Sequence, residues 1–288
     1  MGGRLWGVVL TVLCASSWMG AQCANDQRSE KKGGVVVTDF TITGTRTLSA
    51  SQLAEITGDF IGSCFNDDSE EMAERVRAEF QNEGYFRADV KHVTMKASDP
   101  LGNPKPVLVE ADVDEGLQYR LDRITFLENH AFSAETLRDE FPLKKGDVFS
   151  RHKVASGLEA VRKLYARNGY LDMYPVPDTE FAAAAELKIT VKEGPQYHMG
   201  KLEIPAEKDL ADRLRLAWKL DEGVVFDSTY LDKYIEENHD LLPSGFGRER
   251  VQVAENCPEA TVAVRLAVQD DSSKPPMKDV PCEKKDGK

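Results

Sequence analysis

The chain has 288 residues, with 37 Lys+Arg against 49 Asp+Glu for a formal charge of −12, and 41% of it is hydrophobic. That composition supports packed cores and rules out global disorder. The acidic balance argues against nucleic acid and against docking on anionic lipid, because both need a surplus of Lys and Arg on one face.

Met1–Ala24 has the pattern of a secretory signal. Arg4 precedes the apolar stretch Leu5–Leu13, and Gly20, Ala21 and Ala24 offer small residues for cleavage. The apolar run is short for a membrane span of ~20 residues. Residues 25–34 form a polar, flexible lead-in. A first strand is expected around Phe40/Ile42, then a helix over Ala50–Phe60 and the step Gly62-Ser-Cys-Phe65-Asn66. A longer helix with Met72, Val76 and Phe80 on one face ends at Gly84-Tyr85. A strand near Ala88–Met95 leads into the alternation Val107, Val109, Ala111, Val113.

The same order then recurs. Ile124/Phe126, a helix over Ala134–Phe141, and Gly146-Asp-Val-Phe149-Ser150 precede a helix through Val154, Leu158, Val161 and Tyr165 that stops at Gly169-Tyr170. Strands follow near Leu171–Val176 and at Ala185, Leu187, Ile189, Val191. The third copy runs from Leu202/Ile204 through Lys208–Trp218 to Gly223-Val-Val-Phe226-Asp227. Its long helix carries Leu231, Ile235, Leu241 and Leu242 and closes at Gly245-Phe246. Strands near Arg248–Ala254 and at Val262, Val264, Leu266, Val268 complete it. The Phe-to-Gly spacings are 84 − 65 = 19, 169 − 149 = 20 and 245 − 226 = 19 residues. Agreement across three copies marks an internal repeat.

Asn66, Ser150 and Asp227 are side chains that can cap the helices they precede, and glycine closes a helix without a Cβ penalty. Period two with one apolar face means a sheet covered on one side only. The expected fold is therefore α+β. Three tandem βααββ domains form an elongated array, each with two helices on one face of a three-stranded mixed sheet. The boundaries read 1–24 signal, 25–34 lead-in, 35–117, 118–195 and 196–270 for the three domains, and 271–288 for a disordered, proline-containing tail.

This unit resembles the POTRA (polypeptide-transport-associated) domain of the outer-membrane assembly and two-partner-secretion families. Asn168-Gly-Tyr-Leu171 with Val191-Lys-Glu-Gly-Pro195 carries the likeness most clearly. Glu83-Gly-Tyr-Phe86 with Val113-Asp-Glu-Gly116 is close behind, and the third copy lacks the terminal Glu-Gly. The resemblance implies a periplasmic array that handles outer-membrane β-barrel proteins or unfolded clients. A barrel of its own would need many further strands. After Gln269 only 288 − 269 = 19 residues follow. A separate barrel-bearing assembly protein is therefore an expected partner, and a truncated barrel-assembly protein is an alternative origin.

No enzyme chemistry is expected. The five histidines, His92, His130, His152, His198 and His239, stand at no metal-ligand spacing, and neither a nucleophile elbow nor a phosphate loop is present. No cofactor or metal is expected. Acidic pairs such as Asp67/Asp68, Glu70/Glu71 and Glu236/Glu237 read as solvated faces or helix starts. Cys257 and Cys282 are a candidate disulfide that would leave Cys64 as a buried thiol; the alternative is that all three are small buried hydrophobes.

Binding by strand addition is the function the pattern suggests, because an open sheet leaves unpaired backbone groups at its edges. In the resembling family the second strand of each unit lies at an edge. The candidate residues are Ala88, Val90, Val93 and Met95 in the first unit and Val251 and Val253 in the third. Pro175 and Pro177 blunt the second. The competing expectation is a structural adaptor or spacer between envelope proteins.

Overall fold

The computed structural model describes residues 34–102, 104–269 and 275–282. The expected export signal, 1–24, and residues 25–33 of the expected lead-in lie outside them. The chain divides into two compact units. One contains the residues up to Tyr119 together with Val148–Arg151; the other contains 120–147 and the residues from His152 onward.

In the first unit β1 (Val35–Thr43), α1 (Ala50–Gly58), β2 (Cys64–Phe65), α2 (Ser69–Asn82), β3 (Asp89–Ala97) and β4 (Lys105–Asp114) follow in order. The sheet order is β2-β1-β4-β3, with β1 parallel and β3 antiparallel to β4. It has four strands, not the expected three, because the Gly62–Phe65 step pairs with β1. Met72, Val76 and Phe80 are buried against Val107, Val109, Ala111 and Val113 in one core. Each large side chain so buried contributes roughly 1.5–3 kcal/mol. Asp68, not Asn66, caps α2, accepting from the Glu70 and Glu71 N–H groups. Asn66 instead donates to the Glu71 carboxylate at 2.7 Å.

The second unit holds two further sheets. The first contains β5 (Leu121–Leu127), α3 (Ala134–Asp139), α4 (Arg151–Arg167, whose first residue belongs to the other unit), β6 (Tyr174–Phe181) and β7 (Ala185–Lys192), in the order β5-β7-β6. The strand β6 starts three residues later than expected and carries both prolines. The last sheet contains β8 (His198–Glu203), α5 (Lys208–Ala217), α6 (Tyr230–Glu237), β9 (Val251–Asn256) and β10 (Thr261–Leu266), in the order β8-β10-β9. Its long helix is shorter than the periodicity suggested. Asn238 turns its side-chain amide back to the Tyr234 carbonyl, and Pro243 disfavours helical geometry at Leu242. Trp218 packs edge to face against Tyr230 and Tyr234 of this helix.

Candidate functional site: the sheet edges

The repeated Gly-x-x-Phe step has a role beyond preceding a helix. In each copy it clips the first strand of its sheet through two backbone hydrogen bonds. Gly62 N–H donates to Val37 O at 2.8 Å and Val37 N–H to Ser63 O at 3.2 Å. Gly146 and Leu121 repeat this at 2.8 Å, with Leu121 N–H to Asp147 O at 2.9 Å. Gly223 and Met199 do so at 2.7 Å, with Met199 N–H to Val224 O at 2.7 Å. The three glycines share φ values of 82°, 90° and 86°, a conformation that side chains with a Cβ avoid. One margin of each sheet is thus partly covered by its own motif, which leaves β3, β6 and β9 as the opposite edges.

Ala88 precedes β3 and is buried. Val90 and Val93 are 9% and 8% exposed, and Met95 packs on the same core. Their side chains hold the fold together, so an added strand would meet the backbone of β3. A bulge at Lys91 breaks the register between Val90 and His92, and pairing is then continuous to Ala97↔Val107. Ser98 N–H donates inward to Pro106 O at 2.9 Å. Alternation from that bond points the N–H groups of His92, Thr94 and Lys96 toward β4 and those of Val93 and Met95 outward. The bulge and Lys91 blunt the start of this edge, and no proline interrupts the rest.

The other two edges differ. In β6, Pro175 and Pro177 pair with Val191 and Ile189 in an unbroken register. They therefore occupy positions whose N–H would point away from β7, and the outer face loses those donors. In β9, Val251 is buried and Val253 half-buried in the core, and residues 275–282, expected to be disordered, run beside the strand. Asn256 and Val280 form a parallel bridge. Cys257 and Cys282 are disulfide-bonded. Cys64 is disulfide-bonded as well, not the buried thiol expected.

Glu115 and Glu193, from the Glu-Gly steps that end the first two copies and carry part of the family likeness, each organise a loop more than sixty residues away. Glu115 is 2% exposed. Its Oε1 accepts from Arg46 N–H and Thr47 N–H, both at 2.7 Å, and from the Thr47 hydroxyl at 3.0 Å. Glu193 Oε1 accepts from His130 N–H at 2.7 Å, Ala131 N–H at 2.8 Å and the Tyr165 hydroxyl at 2.8 Å. Burial alone would raise both carboxyls, but these donors outweigh it and hold them below the ordinary value. Among the described residues, Asp172, Cys257 and Cys282 are grouped closely enough to hold a metal, but the two sulfurs are bonded to each other. No described helix is long and apolar enough to cross a membrane.

These observations define a class: tandem βααββ modules with open sheets, each clipped at one margin and variably protected at the other. The POTRA family model, described as surface antigen variable number repeat, matches residues 119–194. Haemophilus influenzae BamA POTRA3-5 superposes with a TM-score of 0.53 at 19% identity, covering 81% of this chain and 96% of that one. The chain has the fold of a tandem POTRA array. A Treponema pallidum (strain Nichols) protein named as an outer membrane protein assembly factor is 30% identical over 148 residues, 49% of this chain. That match spans 17% of the relative's length.

Proposed function

We propose that the chain is an exported, non-enzymatic, periplasmic POTRA array with domains at 35–117, 118–195 and 196–270. It serves outer-membrane protein assembly or secretion by accepting extended polypeptide at the outer edge of β3. The observation that carries the reading is the inequality of the three edges. β6 is blunted by Pro175 and Pro177 and β9 is lined by residues 275–282, whereas β3 keeps a regular, proline-free run from His92 to Ala97. The likeness to an assembly factor supports the client class, namely unfolded outer-membrane β-barrel segments delivered to a separate barrel-bearing partner.

The test is isothermal titration with barrel-derived peptides. Met95→Pro removes an outward N–H and obstructs an incoming strand, so affinity should fall about tenfold, the loss of roughly one hydrogen bond. Met95→Ala, which changes packing alone, should bind as wild type. Thr94→Pro should disturb folding, because its N–H faces β4. Equal affinity for folded Met95→Pro and wild type would favour the alternative role of spacer between envelope proteins.

A further inference from the structure

The third edge has an occupant built into the chain. Val280 N–H donates to Glu255 O at 2.7 Å, and Cys257 N–H donates to Val280 O at 2.9 Å. Glu255 N–H, the other outward donor there, is taken by the Asp279 carboxylate at 3.0 Å. Upstream, Met277 N–H reaches the Gln252 side-chain oxygen at 3.2 Å, and Arg265 binds Pro275 O at 3.0 Å. The segment thus tracks β9 from Gln252 to Cys257 in the manner of a short parallel strand. Its prolines matter as well. Pro275, Pro276 and Pro281 have no N–H, so the segment offers few donors to a further strand.

We propose that residues 275–282 are an intramolecular strand ligand that closes the β9 edge, and that the Cys257–Cys282 bond locks them in place. The sheet beneath is a strand acceptor of the same kind as β3, withdrawn from exchange. A tethered segment competes at an effective concentration of about mM, and a second covalent anchor at Cys282, two residues beyond Val280, tightens it further. Free polypeptide at micromolar concentration therefore cannot displace it. Clients would then engage the first unit, with the third held closed. Only this last consequence rests on the strand-addition reading.

The test uses the full chain carrying Cys257→Ser, Cys282→Ser and Val280→Pro. Val280 is 46% exposed, so the proline removes the bridging donor without opening the core. Amide exchange at Glu255–Cys257 should accelerate at least tenfold, while exchange in β10 stays at the wild-type rate and reports an intact fold. A labelled synthetic peptide of residues 275–282, with serine in place of Cys282, should then bind the variant saturably and the oxidised wild type not at all. Unchanged exchange at Glu255–Cys257, binding to both proteins, or binding to neither would overturn the proposal. The probe is the chain's own sequence, so failure here leaves the β3 titration unaffected, and failure there leaves this result standing.

Discussion

Replacing Gly169 by Ala probes the closure of α4 and the tie between the second and third sheets. Gly169 has φ +84°, and a Cβ there would lie 2.6 Å from the Tyr197 carbonyl oxygen and 3.0 Å from Val225 Cγ1. That carbonyl accepts from Phe226 N–H at 3.0 Å, and Tyr197 N–H donates to Gly169 O at 2.8 Å. Gly146 supplies the comparison, with φ +90° and nothing within 4 Å of its added Cβ. The left-handed backbone alone costs about 1–2 kcal/mol for alanine, which is the whole effect expected of Gly146→Ala. At Gly169 the displaced carbonyl weakens two further hydrogen bonds at roughly 1 kcal/mol each, for a total of about 3–4 kcal/mol. In thermal melts followed by circular dichroism, Gly169→Ala should fall roughly 6–12 °C and Gly146→Ala about half as far or less. Equal losses, or a milder Gly169→Ala, would refute the clash argument.

Glu193→Ala strands the His130 and Ala131 N–H groups and the Tyr165 hydroxyl, at a cost of about 2–4 kcal/mol in urea unfolding. The Glu193 carboxyl is held below its ordinary 4.5 in the folded chain. Its contribution is therefore present above that pH and lost as pH falls through the folded value, so the gap between wild type and variant should narrow on acidification. Glu255 runs the other way. Burial, with Asp172 and Asp279 beside it, raises its carboxyl above the ordinary 4.5. Wild type should lose stability as pH rises from about 4.5 through the folded value. Glu255→Gln should melt higher than wild type at pH 7.5 and match it near pH 4.

Much of this fold was legible along the chain because it is local. Val107, Val109, Ala111 and Val113 alternate because one face of their sheet is covered and the other is not. Gly84 and Gly169 follow α2 and α4 closely and take positive φ, as expected of helix-closing residues; Gly245 takes positive φ too, but it lies eight residues beyond the end of α6 and closes a later turn. Where a local cue competed with another, the boundary moved: Asn238 capped the third long helix just after Glu237, and Asp68 displaced Asn66 as the cap of α2.

The candidate site was less legible, because its deciding contacts join residues distant in sequence. Nothing near Glu193 announces that the loop at His130 and Ala131 will donate to it across 63 and 62 residues. Val90 and Val93 read as an edge available for binding, yet their side chains belong to the core; only the bond from Ser98 to Pro106 shows which N–H groups point outward. Prolines and lysines between Asp270 and Lys288 looked like a solvated tail. Tertiary structure placed Val280 against Glu255 and Cys257, because the unpaired groups of an edge strand are costly to bury and readily find a partner in nearby chain. Sequence specified the module and its repetition; the folded sheets determined which of their edges remain open.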